Sequence, residues 1–390
     1  MNKRIATLFV VIVVLATPFF AMAAGSQLYY AGWIPFWKKQ SGALDTALNL
    51  ERLREVSPFS YEVGSGGKLR DVLKIHEGLW PGWLAAVRDL RVKIIPTIAW
   101  FDGDGIHALL SRAKSRRAHE DIVAKLVQDE HFDGIDIDYE GKMAKTNPYF
   151  SLLIKGLALR LHPHKKILSC TIEARTPASS LRPNIEREPG YANDYPTLNK
   201  YCDEVRIMAY DQGAIDFKLN VKKGNGNLYV PVADPDWVEK VIQETVKTIG
   251  RKKIMLGIPT YGYEYEASWN DDATTYRRLR SVNFFTAMNL ADALDISPSR
   301  NSAGELGFTY TTSTFFEVSA ILRANVASML PINFSPLTAN STSSVTRVVS
   351  FSDAESADQK IRLAKKYGLR GVVFFKLDGD FDPLLWEKMK

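Results

Sequence analysis

Between Ile135 and Glu140 three carboxylates alternate with three large apolar residues, in the stretch HFDGIDIDYEGK that starts at His131. Asp133-Gly134 opens it with a turn signal. Side chains of a strand point to opposite faces with period two. Asp136, Asp138 and Glu140 therefore share one face, and Ile135, Ile137 and Tyr139 the other. Along a face the spacing is roughly 6.5–7 Å. Like charges that close cannot all ionise freely, so at least one of the three must bind its proton more tightly than usual. A carboxyl group protonated near neutral pH is what a general acid requires. A merely solvated face would be better built from Lys and Thr. Three carboxylates could also hold a hard cation. With no further ligand beside them to complete a shell, no metal is expected.

The run Asp133-Gly-Ile-Asp136-Ile-Asp138-Tyr-Glu140 resembles the signature of family 18 glycoside hydrolases, the chitinase-like enzymes, at every defining position. The resemblance implies a (β/α)8 TIM barrel, with this stretch as its fourth strand and Glu140 as acid/base. It also implies a catalytic set of Glu140, Asp138, Asp136 and Tyr210. The substrate's own N-acetyl oxygen would be the nucleophile, a route some glycosidases take in place of a carboxylate. Asp138 would accept a hydrogen bond from the acetamido N–H, Asp136 would share a proton with Asp138, and Tyr210 would hold the acetamido oxygen.

Seven further stretches must then supply the other strands. Residues 27–37 are aromatic and carry Gly32-Trp33, where the family often has Gly-Tyr. Residues 55–64 place Ser60 and Glu62 opposite Tyr61. The apolar run 92–101 suits a parallel strand covered on both sides. DGDG at 102–105 is expected to turn into a helix over 106–113 and not to bind calcium, since the distant glutamate of such loops is missing. Further helices are expected over 118–128 and 148–161, with His162 and His164 in a surface loop. Residues 167–175 put Ser169, Thr171, Glu173 and Arg175 on one polar face, as at an active-site mouth. Residues 203–212 contain Met208, Tyr210 and Asp211, similar to the family's sugar-binding Met-x-Tyr-Asp, with Arg206 where many members have Asn. Residues 253–263 end in Tyr-Gly-Tyr, so Tyr263 stands where the family commonly has Arg. That form is closer to the spore-germination and cortex-lytic branch. In the last strand, 371–377, Phe375 takes the place of the usual subsite-floor Trp. Trp33, Tyr61, Arg175, Met208, Asp211, Tyr263 and Phe375 are thus the expected substrate-binding residues.

Between strands seven and eight the β/α rhythm breaks. Residues 264–347 mix strand-like, helix-like and Ser/Thr-rich pieces, which implies a small α+β insertion. The barrel would be built from 25–263 and 348–390, with a helix over 354–367 before the last strand.

With 390 residues, 46% of them hydrophobic, the chain has ample length for one large core plus an insertion. The formal charge of +6 comes from scattered Lys and Arg. That argues against nucleic acid and suits an anionic cell-wall polymer. Lys3 and Arg4, the apolar run 5–20 and Ala21-Met22-Ala23 form a cleavable signal peptide over 1–24. A secreted or cell-envelope monomer with no membrane span after cleavage is expected. By alternation Cys170 faces away from Thr171, whereas Cys202 shares parity with Met208. A bridge between opposite faces of adjacent strands is awkward, so two buried free thiols are expected, although export permits a bridge.

By resemblance the substrate is a β-1,4-linked polymer containing N-acetylglucosamine, either peptidoglycan or a chitin-type oligosaccharide, cleaved without a cofactor. The alternative is a lectin of the same fold. Family members that no longer cleave usually lack the motif glutamate, and Glu140 is present.

Overall fold

The computed structural model of the protein describes residues 28–181, 191–270, 273–312 and 345–389. The expected signal peptide, residues 1–24, and the Ser/Thr-rich stretch near 335–344 lie outside the described residues.

Eight parallel strands close into a barrel: β1 (Tyr29–Ile34), β2 (Glu55–Val63), β3 (Thr97–Trp100), β4 (Gly134–Tyr139), β5 (Ile167–Glu173), β6 (Glu204–Met208), β7 (Ile254–Pro259) and β8 (Gly371–Phe375). Each pairs with the next in sequence, and β1 pairs with both β2 and β8, so no barrel edge is left open. This is a (β/α)8 barrel. Strand β4 alternates as its sequence requires. Ile135, Ile137 and Tyr139 are buried outside the barrel wall, and Asp136 and Asp138 are buried on the opposite face, towards the lumen. Tyr139 reaches its neutral polar partner behind the wall, 2.5 Å from His119 Nε2, while His119 Nδ1 donates to Gly67 O. Burial keeps His119 below its ordinary pKa.

Two strands are shorter than their apolar runs suggest. Pro96 has no N–H to donate, and it divides Lys93–Ile94 from Thr97–Trp100. Pro259 ends β7. After it Thr260 N donates to Phe375 O, and the chain leaves the barrel as Tyr261–Asn270. The helix after β3 runs Gly103–Leu110, begun by Asp102, whose carboxylate accepts from Gly105 N. A long helix, Ala113–Asp129, then carries the chain back to β4. The helix before β8, Ala354–Lys366, opens with a reciprocal Asp353/Ser356 capping box.

Tyr261–Asn270 begins a second, antiparallel sheet. Its order is Ala273–Asn283, Tyr261–Asn270, Thr346–Phe351, Leu306–Thr311, Ser299–Arg300. The helix Phe284–Ala293 covers it, and Val282, Ala287, Ala291, Phe308, Val349 and Phe351 make a separate small core. Glu305 fastens this unit to the barrel by accepting from Val232 N and Ala233 N, and within the second sheet it accepts from Ser350 Oγ.

The two cysteines are joined, with Cα atoms 6.2 Å apart, and the expectation of free thiols is corrected. Strand parity does not govern Cys202. It caps the helix Tyr195–Tyr201 and precedes β6, so its side chain meets Cys170 outside the wall. Among the described residues no helix is long and apolar enough to cross a membrane.

Candidate active site

The carboxyl ends of the strands open into a cleft of about 600 Å³. Barrel enzymes keep their reacting groups at this end. Its lining includes Asp138, Glu140, Met208, Tyr210, Asp211, Tyr263, Phe375 and Trp33. Eight residues chosen from the sequence thus converge on one cavity.

Glu140 directly follows β4, and its backbone N–H donates to Trp100 O at 2.8 Å. The chain turns at once through Gly141, at φ +66°, a conformation that costs glycine little. The Glu140 carboxyl is pushed up to about 7, first by burial and then by the Glu173 carboxylate, with Lys142 opposing. Lys142 is itself buried, 3.5 Å from Glu173 and 4.9 Å over the Phe150 ring. Asp138 is held well above the ordinary carboxylate range by burial, then by Glu140 and Asp136. Its Oδ1 is buried and has no hydrogen-bond partner among the described residues. An unpaired buried acceptor beside a cleft is a costly arrangement unless a ligand supplies the donor.

Asp136 sits one step deeper and differs from the expectation of a shared proton. It accepts from Trp33 Nε1 (3.0 Å), Thr97 Oγ1 (2.9 Å), Ser169 Oγ (2.8 Å) and Thr171 Oγ1 (2.9 Å). Those four donors, from β1, β3 and β5, occupy the lone pairs that a bond to Asp138 would use. Trp33 is therefore a support of the carboxylate ladder as well as part of the cleft.

Tyr210 stacks on Phe375 with ring centres 5.6 Å apart and planes 13° apart. Gly257 makes room for it, since a Cβ there would lie 2.9 Å from the Tyr210 ring. Burial, then the charges of Asp138, Glu140 and Asp211, raise Tyr210 well above its usual pKa, which keeps its hydroxyl a donor. Phe375 also meets Trp33 (5.9 Å), Phe59 (6.0 Å) and Tyr261 (5.8 Å), giving an aromatic floor. Asp211, at φ +59°, accepts from the hydroxyls of Tyr261 (2.5 Å) and Tyr263 (2.8 Å).

Two expected binders lie elsewhere. Tyr61 packs against Phe132, 6.4 Å between ring centres, and is not among the cleft residues. The β2–β3 register shifts between Phe59 and Tyr61, and Phe59 faces the cleft instead. Arg175 lies beyond the end of β5, where its guanidinium sits over Tyr195 (3.7 Å) and Tyr191 (4.3 Å) and donates to Asn193 O. It braces the loop that orients Glu173, whose Oε2 accepts from Asn193 Nδ2. Conversely, the cleft includes Trp37 and Phe101, exposed by 51% and 59%, which were not singled out. Solvent-facing aromatics at strand ends can stack on sugar rings. Their signal was position, one turn past β1 and one residue past β3. Ser281, Asn283 and Thr286 of the second sheet and its helix close one flank, beside Lys376, whose Nζ bonds Asn283 and Asp378.

An acid poised near neutrality, an unsatisfied carboxylate beside it and an aromatic floor define a glycosidase on a (β/α)8 barrel. The family model described as glycosyl hydrolases family 18 matches residues 86–380, and the chain belongs to that family. An uncharacterized glycosylase of Bacillus subtilis (strain 168), YvbX, is 22% identical over 291 residues, covering 74% of this chain and 70% of the relative. The fold is shared with the spore cortex-lytic enzyme SleL of Bacillus megaterium QM B1551 (17% identity, TM-score 0.67, 93% of this chain and 73% of that one). It is shared equally with a chitinase of Chromobacterium violaceum ATCC 12472 (18% identity, TM-score 0.66, 93% and 98%).

Proposed function

We propose that the protein is an exported glycosidase that cleaves β-1,4 bonds in N-acetylglucosamine-containing polymers, with retention and with the substrate's acetamido group as nucleophile. The observation that carries the mechanism is the set of carboxylates in the cleft. Besides Glu140 these are Asp138, Asp211 and Asp380. Asp211 is held by two tyrosine hydroxyls, and Asp380 by Asn283 and Lys38. Asp138 stands on Glu140's own strand face, beside the acid and not across a sugar from it. A conventional retaining enzyme places its nucleophilic carboxylate about 5 Å from the acid across the ring, and Asp138's place beside the acid does not suit that role.

Glu140 gives its proton to the glycosidic oxygen as the bond to the anomeric carbon breaks. The acetamido carbonyl oxygen bonds to that carbon from the other face, forming an oxazolinium ring. Asp138 supplies the missing partner for the acetamido N–H and stabilises the positive charge that develops there. Tyr210 donates to the acetamido oxygen and holds it for attack. Glu140, now ionised, takes a proton from water, which opens the ring and restores the acid.

Peptidoglycan and chitin oligosaccharides are the two substrates this reading admits. The likeness to a spore cortex-lytic enzyme and the +6 charge favour a cell-wall glycan. A Cys170–Cys202 bridge suits an oxidising compartment and supports export. The test is hydrolysis of matched oligosaccharides with and without the acetyl group on the sugar in the cleavage subsite, with products read by mass spectrometry. Only the acetylated form is expected to be cut. Comparable rates on both would require an enzyme nucleophile and overturn the mechanism.

A further inference from the structure

The strand Ala273–Asn283, at the edge of the second sheet, carries three arginines, Arg277, Arg278 and Arg280. Two of them are paired within the hairpin. Arg280 Nε donates to Glu264 at 2.6 Å, and Arg277 Nη2 donates to Glu266 at 2.8 Å. The third points the other way. Across the hairpin Tyr263 pairs with Ser281 and Glu264 with Arg280, but Tyr265 pairs with Arg278. Leu279 is thus an extra residue, a bulge. Ser281 and Asn283 flank the cleft, and strict alternation from them would put Leu279 next on that face. The extra residue puts Arg278 there instead. Bulges beside active sites re-aim side chains in this way.

The Arg278 guanidinium lies 4.7 Å over the Tyr263 ring, and its Nη1 is 4.0 Å from Asp211 Oδ2. Tyr263 and Asp211 both line the cleft. A gap of 4.0 Å is too long for a hydrogen bond, and Asp211 Oδ1 is already held by two tyrosine hydroxyls. Among the described residues the Arg278 side chain donates no hydrogen bond, and it is 57% exposed. The ring and the nearby carboxylate therefore fix the cation at the rim without using its donors. Those donors form a rigid fork that matches a carboxylate. The two lysines of the cleft are differently placed. Lys376 donates to Asn283 and Asp378, and Lys38 stands 3.8 Å from Asp380 on the far side of Asn283.

We propose that Arg278 is a specificity-determining residue, which binds a carboxylate carried by the glycan beside Tyr263 and Asp211. This rests on the glycosidase reading and narrows its substrate. A chitin oligosaccharide has no carboxylate. The muramyl sugars of peptidoglycan carry a lactyl ether, whose carboxyl is either free or amide-linked to a peptide with carboxylates of its own. Either source offers the planar anion that an arginine fork receives through two parallel N–H bonds.

The test is kcat/KM on three glycans of equal length: a chitin oligosaccharide, a muramyl glycan with its lactyl carboxylate free, and one that bears the peptide. Arg278→Gln should lower kcat/KM on a carboxylated glycan about tenfold or more beyond its effect on the chitin oligosaccharide. The loss should fall mainly on KM, as for an interaction made equally in the ground state. Whichever muramyl glycan shows it identifies the source of the carboxylate. Arg278→Lys, which keeps the charge and loses the fork, should recover part of the loss. High salt should narrow the gap between wild type and Arg278→Gln, since the contact is exposed. An arginine that only braced Asp211 and Tyr263 would, when removed, lower all three rates by one factor. That result, or no loss on any substrate, overturns the proposal. If the wild-type protein cleaves none of the three, the glycosidase reading fails instead. Calorimetric Kd values for the same glycans on wild type and Arg278→Gln then decide the role of Arg278. Weaker binding of the carboxylated glycans alone supports it, and equal or absent binding overturns it.

Discussion

As the proposed acid, Glu140 must stay protonated at the pH where it works and yet sit close enough to water to be recharged. Its partial burial and the nearby Glu173 supply the first, and its place at the cleft supplies the second. A general acid is active in its protonated form, so kcat/KM should fall as pH rises through about 7. A pH–rate profile whose basic limb lies near the ordinary 4.5 of a free glutamate would contradict this. Glu140→Gln keeps the shape and removes the proton, and turnover should drop on the order of a hundredfold or more. The same variant should gain stability. The folded protein holds the Glu140 proton more tightly than the unfolded chain, so raising pH from about 4.5 to about 7 costs stability that Gln does not lose. Thermal melts should show the variant above wild type at pH 8, by on the order of 1–3 kcal/mol, with the gain vanishing below pH 4.5. The ladder of Asp136, Asp138 and Glu140 was legible because a period of two leaves no other arrangement in a strand. Arg206, buried 3.4 Å from Asp136, was not legible as its neighbour, because sequence alone does not say that an arginine is buried.

At the level of elements, alternation located the carboxylate strand, apolar runs and family-like motifs located the others, and proline chemistry set where β3 begins and where β7 ends. Pro96 and Pro259 each remove a donor from the ladder, and runs that looked continuous are broken there. Tyr61 shows the limit of counting by twos. One irregularity in register turned its side chain behind the wall and brought Phe59 to the cleft. The Cys170–Cys202 bridge was missed for a related reason, since Cys202 belongs to a helix end and not to β6. The bridge spans 32 positions, for which the loop-entropy account gives about 3–4 kcal/mol. Replacing both cysteines by Ala should lower the melting temperature accordingly, while kcat/KM of the folded fraction stays near wild type, as neither sulfur lines the cleft. A large loss of kcat/KM in well-folded protein would show that the bridge shapes the site.

For the molecule as a whole, the second sheet extends the cleft beyond what a bare barrel offers. Ser281, Asn283 and Thr286 flank the same cavity as Glu140. Replacing residues 266–343 with a short linker should weaken binding of long oligosaccharides more than short ones, measured as KM on a length series. Equal effects at every length would remove the insertion from the binding surface. If residues 1–24 direct export, protein recovered outside the cytoplasm should begin at or near Ala24 on N-terminal sequencing. An intact Met1 on membrane-bound material would favour an anchor. The strand count was legible because each β/α unit repeats its own pattern. How the insertion seats on the barrel was not, because it depends on Glu305 reaching Val232 and Ala233, about seventy positions away.

The pairing of β1 with β8 joins Tyr29 to Gly371 and Gly32 to Phe374, nearly the full length of the described chain. A nascent polypeptide emerging from the ribosome can lay down seven strands and the whole second sheet and still present two unpaired edges, β1 on one side and β7 on the other. Such edges are templates for pairing with other chains. Long sequence separation between contacting strands also slows folding. The ring closes only when β8 arrives, and any stop before β8 yields an adhesive product in place of a smaller enzyme.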